Sequence, residues 1–323
     1  MQNLVAPEGP RLVMLPSNPA PEGMRAGYMK TTDGIRLRYA IWPKAASPRR
    51  GTVCILQGRT EFIEKYFETV ADFRRRGFAV ATFDWRGQGG SDRLIDNPQL
   101  GHVESFGDYG IDLESFHRQV LLPDCPAPFY LVGHSMGGLA GLLGVIRDRT
   151  MFDRALLLAP MLSIKTGLSM RNTARLMKGL AFFGMGAQPV GRRGDKGLAR
   201  EGFANNPLTS DLKRYMRIVD VLTADPGLGI GRPTIQWLAT ASDAMARVAT
   251  DTFPQALRVP VLMLAAGSDT VVSSAAIEHL GLRLRTGRHL VVPAARHELL
   301  MESDAVRGQA LAAFDAFITE QSG

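Results

Sequence analysis

The sequence predicts a doubly wound α/β fold: a mostly parallel sheet with helices on both faces and a helical insertion late in the chain. Three observations predict it. Short apolar runs bounded by turn residues recur, as strands buried on both faces do. Segments of helical period lie between them, and strands alternating with helices build parallel sheets. Residues 163–250 break this rhythm, being helical in pattern, interrupted by Pro and Gly, and basic.

Composition sets the bounds. The chain has 323 residues, 45% of them hydrophobic and 21% charged, enough to bury a large core and too apolar for disorder. The formal net charge is +7. Residues 163–250 hold 13 Lys and Arg against 6 Asp and Glu, so the whole excess sits in that stretch and the rest is near neutral. Such a charge suits anionic surfaces, but no nucleic-acid motif accompanies it, and none is expected as a partner. The two cysteines, Cys54 in an apolar run and Cys125 in a Pro-rich turn, suggest neither a disulfide framework nor a metal site. Met1 to Pro10 lack the basic and apolar regions of a secretory signal, and no apolar run reaches the ~18–20 residues of a membrane span. The expected location is cytoplasmic.

In order along the chain, residues 1–24 carry several Pro and Gly and read as an extended arm or a poorly ordered leader. Alternating residues around Asp33-Gly34 signal a hairpin from about 27 to 42. Gly51–Leu56 is a buried strand, followed by Gln57-Gly58-Arg59-Thr60-Glu61. A helix over about 61–76 presents Phe62, Tyr66, Val70 and Phe73 on one face. A strand at 78–83 leads into Asp84-Trp-Arg-Gly-Gln-Gly-Gly-Ser-Asp92. This loop lacks the glycine spacing of a phosphate cradle and reads as a structural turn. A helix over about 108–121 precedes a strand at 127–133, a helix at 136–147 and a strand at 154–159. After the insertion come a strand at 259–265, a helix at 274–282, a strand at 289–293 and a helix at 303–319. The expected division is an arm at 1–24, a core of 25–162 and 251–323, and a helical cap at 163–250.

Gly133-His134-Ser135-Met136-Gly137 matches the G-x-S-x-G elbow, with a strand before it and a helix after it. Glycines two residues either side of Ser135 relieve collisions across so tight a turn. A serine hydroxyl needs an adjacent base to become a nucleophile, and histidine has the suitable pKa. Among six histidines, His134 projects from the elbow in another direction, His279 lies mid-helix and His289 starts a strand. His102 and His117 precede the elbow with nothing to support them. His297 follows the last strand, where the order Ser, acid, His places the base. The acid belongs after the penultimate strand, and Asp269 stands there. It would hold the His297 tautomer and stabilise the imidazolium. Glu298 is too close in sequence to do so. The oxyanion donors expected are the backbone amides of Met136 and of Arg59.

With these residues in place, the chain resembles the α/β-hydrolase superfamily, and within it the lysophospholipase L2 and monoacylglycerol lipase group with a serine aminopeptidase S33-type domain. The resemblance runs from about residue 25 to the end. It is carried by Gln57-Gly-Arg-Thr-Glu61, Asp84-Trp-Arg-Gly-Gln-Gly89, Gly133-His-Ser-Met-Gly137, Gly267-Ser-Asp269, Arg296-His297, and, in the insertion, Asn206-Pro-Leu-Thr-Ser-Asp211 with Arg214-Tyr215. Gln57 stands where many relatives have His. The resemblance implies a helical cap shaping an acyl pocket and a lipid ester as substrate, cleaved through an acyl-enzyme without cofactor or metal. Phe182, Phe183 and Trp237 are the expected substrate contacts, beside Met161, Leu162, Leu176, Met177 and Met185; most of these would equally serve as the cap's own core. The basic excess would meet a lipid phosphate or the inner face of a membrane, or form a solvated face. An amidase or aminopeptidase with the same triad is the alternative activity, and a non-catalytic binding module the alternative class. A dehalogenase would require Asp where Ser135 stands.

Overall fold

The eight expected strands all form: β1 (Arg25–Lys30), β2 (Arg36–Trp42), β3 (Thr52–Leu56), β4 (Ala79–Phe83), β5 (Phe129–His134), β6 (Arg154–Leu158), β7 (Val261–Ala266) and β8 (Gly287–Val292). They make one sheet in the order β1-β2-β4-β3-β5-β6-β7-β8. The hairpin strands β1 and β2 are antiparallel, β2 meets β4 antiparallel, and every other pairing is parallel. This computed structural model describes residues 9–43, 50–165, 168–191 and 202–319. The central strands are apolar throughout because both of their faces are covered: every residue of β3, β4 and β7 is buried. The edge strand β8 alternates toward solvent instead.

Helices α1 (Phe67–Arg75), α2 (Asp108–Phe116), α3 (Ser135–Arg147), α4 (Met170–Leu180), α5 (Leu212–Ala224), α6 (Ile235–Val248), α7 (Ser274–Gly281) and α8 (Asp304–Thr319) complete the fold. The helix expected over 61–76 begins as a 3₁₀ turn, Ile63–Tyr66, before α1. The helix expected over 108–121 continues past α2 as a π-helical segment, His117–Leu121. Helices α4, α5 and α6 lie between β6 and β7, within the stretch expected as a helical cap. Polar N-caps start each one: Ser169 accepts from the Asn172 amide, Asp211 from that of Arg214, and Thr234 from that of Trp237.

Residues 9–24 lie on the core without joining the sheet, with a turn closed by the Leu15–Asn18 bridge. The Val13 amide donates to Glu64, the buried Asn18 amide group to the Glu64 carbonyl, and the Trp42 indole N–H to the Pro21 carbonyl. Val13 and Leu15 pack on a small cluster shared by core and cap: Phe62, Ile218, Val221, Leu222, Leu228 and Met301.

The loop from Asp84 to Asp92 is a turn held from inside. The buried Asp84 carboxylate accepts from the amides of Ile63 and Gly90 and from Arg38 Nε, at 2.6–2.9 Å. Arg38 also forms a bidentate pair with Glu64 at 2.7 and 2.8 Å. Burying a guanidinium is costly, and two carboxylates around it offset that cost. The network fixes β2, β4 and the turn before α1 against one another.

Candidate active site

Ser135 sits where β5 turns into α3 with φ +50°, a left-handed conformation that a non-glycine residue adopts only under constraint. The constraint is packing. A Cβ on Gly137 would lie 2.3 Å from the Leu56 carbonyl oxygen, so α3 touches the end of β3 directly. The Ser135 carbonyl is held by the Met161 amide at 2.9 Å. This sharp bend leaves the hydroxyl at the carboxyl end of the sheet, where open α/β sheets bind ligands.

Two further strand ends supply its partners. Asp269 follows β7, and its Oδ1 accepts from the amides of Val271 and Val272 at 2.8 and 3.0 Å. Its Oδ2 lies 2.8 Å from His297 Nδ1. His297 follows β8, and its Nε2 lies 2.9 Å from Ser135 Oγ. With Asp269 ionised, Nδ1 carries the proton and Nε2 is the acceptor facing the hydroxyl. All three side chains are buried. Burial alone would raise the Asp269 pKa, but the His297 hydrogen bond and charge and the two amides overcome it, so the carboxyl sits below its ordinary value.

Ser135 and His297 open into a cavity of about 290 Å³. Its lining is mixed: Met161, Ile164, Leu208, Trp237 and Val272 are apolar, and Arg59, Glu61, His134, Arg232 and Glu298 are polar or charged. Arg59 follows the end of β3, and its guanidinium donates to the Gly231 carbonyl while stacking over the Trp237 ring at 5.2 Å. The Met136 amide belongs to the first turn of α3, whose N–H groups have no acceptor within the helix. Of the two residues expected as oxyanion donors, Arg59 lines the same cavity as Ser135, and Met136 follows Ser135 in α3. A larger cleft of about 520 Å³, lined by Ser105, Arg147 and Arg247 among others, holds none of the three partnered residues.

Of the three expected substrate contacts, only Trp237 lines the cavity. Phe182 and Phe183 are 86% and 78% exposed and do not belong to its wall. The reason is local. The chain after α4 turns at Gly184 with φ +83°, which leaves both rings at an outward tip. Nor are they core: Leu176 is also exposed, and only Met170, Thr173 and Ala174 of α4 are buried. Met161, named beside them, does line the cavity, and Leu162 belongs to the core.

Sequence reasoning missed how the cap grips the histidine loop. The Glu298 amide donates to the Leu208 carbonyl at 2.8 Å, and Arg296 Nη1 to the carbonyls of Asn206 and Thr209. Thr209 Oγ1 donates to the Met301 carbonyl. The Asn206–Asp211 pattern was a signal for this, since its Asn, Thr and Asp side chains suit loop bracing. His134 points to Glu61, with Nδ1 3.1 Å from Oε1, while His102 bonds Thr234 and Glu104. Among the described residues no group of three or more His, Cys, Asp or Glu is placed to hold a metal ion, and no helix is long and apolar enough to cross a membrane.

Comparison with known proteins accords with this geometry. The model of the family described as serine aminopeptidase, S33, matches residues 47–304. Lysophospholipase L2 of Escherichia coli strain K12 is 34% identical over 302 residues, covering 90% of this chain and 86% of that protein. A probable lysophospholipase L2 of Haemophilus influenzae is 28% identical, covering 91% and 92%. Among solved structures, a soluble variant of monoglyceride lipase from Saccharomyces cerevisiae superposes with a TM-score of 0.72 at 20% identity, over 91% of this chain and 95% of that one; at such identity the likeness speaks for the fold. A strained serine at the end of β5, an acid after β7 and a histidine after β8, and a family match across most of the chain agree, and the protein belongs to the serine aminopeptidase S33 family of the α/β-hydrolase superfamily.

Proposed function

We propose that the chain is a serine hydrolase of carboxylic esters of monoacyl lipids, acting through an acyl-enzyme. The observation that carries this is the continuous chain Asp269–His297–Ser135, whose hydroxyl end opens into a cavity lined by both apolar and charged side chains. Ser135 Oγ attacks the ester carbonyl carbon while His297 Nε2 takes its proton, and Asp269 stabilises the imidazolium. The carbonyl oxygen becomes an oxyanion held by the amides of Arg59 and Met136. Collapse expels the alcohol, which takes the proton from His297 and leaves the acyl group on Ser135. Water, deprotonated by His297, then releases the fatty acid. The names of the relatives, lysophospholipase L2 and monoglyceride lipase, support a lipid ester.

The family description favours weighing one other reading, hydrolysis of amides. The same residues would serve it, so the substrate decides. A hydrolysis panel should cross acyl length with glyceryl, phosphoglyceryl and p-nitrophenyl leaving groups and include aminoacyl anilides. Esters are expected to be turned over with the higher kcat/KM. Faster cleavage of anilides than of any ester would replace the ester assignment.

The partner surface we propose is an anionic lipid interface, met by the cap. Phe182 and Phe183 project from a tip that is bonded to the cavity wall: the amides of Ile235 and Gln236, next to Pro233 and Trp237, donate to the carbonyls of Gln188 and Gly186 at 2.9 Å. Arg171 and Arg175 stand on α4, the helix that leads into this tip, while Lys178 pairs with Asp243 of α6; exposed aromatic rings on a basic segment suit a lipid surface.

A further inference from the structure

Four buried ionisable side chains beside the candidate triad are not used by the reaction scheme: Glu61, Lys65, His134 and Glu298. They come from three loops, and Glu61 is where the loops meet. Its Oε2 accepts from the Gly58 amide, which precedes the Arg59 oxyanion donor. The same oxygen accepts from the Tyr66 hydroxyl at 2.7 Å. Its Oε1 accepts from Lys65 Nζ at 2.8 Å and stands 3.1 Å from Nδ1 of His134, the residue before Ser135. Lys65 Nζ reaches on to Glu298 Oε1 at 2.5 Å, the residue after His297. His134 Nε2 is 3.3 Å from the His297 carbonyl oxygen, which closes the circuit.

We propose that Glu61 is a positioning residue that locks the oxyanion loop, the serine elbow and the histidine loop into one reactive geometry. The inference rests on the serine-hydrolase reading above and deepens it. Three physical points carry it. First, Glu61 is 2% exposed, and a buried carboxylate must be repaid by strong partners. Three donors bond it, from Gly58, Lys65 and Tyr66, and the His134 imidazole of the elbow stands 3.1 Å away as a charge partner; through Lys65 the same carboxylate reaches the histidine loop. Second, the contact leaves no slack at Gly58: a Cβ there would sit 2.9 Å from both Glu61 Oε2 and His134 Nδ1. Third, the charges are complementary: two carboxylates face the Lys65 ammonium, and Glu61 also faces the His134 imidazole, whose charged form it favours. Lys65 and His134 hold the Glu61 carboxyl well below its ordinary pKa against the opposing effect of burial. Burial disfavours the His134 imidazolium, but Glu61 outweighs that and raises its pKa. The cluster thus supplies a rigid frame close to His297, with ring centroids of His134 and His297 4.9 Å apart.

The test compares wild type with Glu61→Gln on a p-nitrophenyl ester, after circular dichroism and thermal melting establish that the variant is folded at the assay temperature. Gln keeps the volume and an acceptor for the Gly58 amide but loses the charge that binds Lys65 and His134. Misplacing reacting groups by about 1 Å costs on the order of 10²-fold, so kcat should fall by roughly that factor with KM within about threefold. Labelling of Ser135 by a fluorophosphonate should slow in parallel. A folded Glu61→Gln variant with kcat within about threefold of wild type, or with its loss confined to KM, overturns the proposal. If Glu61→Gln does not fold, Glu298→Gln decides: it removes the charge that ties Lys65 to the histidine loop and leaves Lys65 on Glu61. A fall in kcat of about tenfold at unchanged KM then supports the proposal, and unchanged kcat overturns it. Wild-type enzyme that neither hydrolyses the ester nor takes the label at Ser135 would instead sink the underlying reading.

Discussion

At the scale of single residues, the way Asp269 is held decides the orientation of His297. Two backbone amides occupy its Oδ1, so its Oδ2 can only face His297, and the imidazole cannot rotate without losing that bond. Asp269→Asn keeps the shape and presents an N–H to Nδ1, which favours the wrong tautomer. The expected outcome is a fall in kcat of about 10⁴-fold with little change in melting temperature, measured on a p-nitrophenyl ester. These three positions were legible in the sequence because each stands just past the end of a strand, and the order of strands fixes where those ends converge. Glu61 was quoted in a motif without a role. Its contact with Lys65 is local, but Lys65 and Glu298 are 233 positions apart, and no periodicity joins them.

At the scale of elements, the elbow and the joint between cap and core are the sensitive places. Gly137→Ala would drive a methyl group into the Leu56 carbonyl, a backbone atom that cannot swing away. We expect a loss of about 3 kcal/mol or more in unfolding free energy, read by urea denaturation. The joint centres on Arg214 of α5, which donates to Glu68 of α1, Asp304 of α8 and the Glu302 carbonyl. Burial raises the Glu68 pKa, but the hydrogen bonds of Arg214 and Arg217 and the nearby Arg307 charge prevail and bring it down to about 2. A carboxylate whose folded pKa lies below its unfolded value adds stability above the unfolded pKa, near 4.3, and loses it as pH falls toward the folded one. The melting temperature should therefore drop between about pH 4.3 and 2, and Glu68→Gln should flatten that drop. The strands could be read because parallel strands buried on both faces leave continuous apolar runs. The joint could not: Arg214 looks like any helix cation until α1 and α8 are brought beside it.

At the scale of the whole molecule, charge and apolar exposure are placed together. The excess of positive charge lies in residues 163–250, and the tip with Phe182 and Phe183 lies within that stretch. Sequence alone marked these rings as pocket or core, because helical period gives a side chain's direction around its own helix and not what that face meets. Replacing both by Ser should weaken binding to anionic vesicles by about tenfold or more in a sedimentation assay, while hydrolysis of a soluble p-nitrophenyl ester stays unchanged. Raising the salt concentration should weaken vesicle binding as well, since exposed charges are screened beyond about 8–10 Å at ordinary ionic strength. Binding indifferent to both changes would remove the cap from the interface. The larger organisation, an eight-stranded sheet with a helical insertion between β6 and β7, followed from the rhythm of strands and helices. The use of the cap's outer face did not.

The central claim is that Ser135 is the nucleophile of an acyl-enzyme mechanism. Its most direct test is to treat the protein with a fluorophosphonate and locate the adduct by peptide mass spectrometry. The account predicts one adduct, on Ser135, lost in Ser135→Ala and slowed in His297→Ala. No adduct on wild type, or equal labelling of Ser135→Ala, would contradict it.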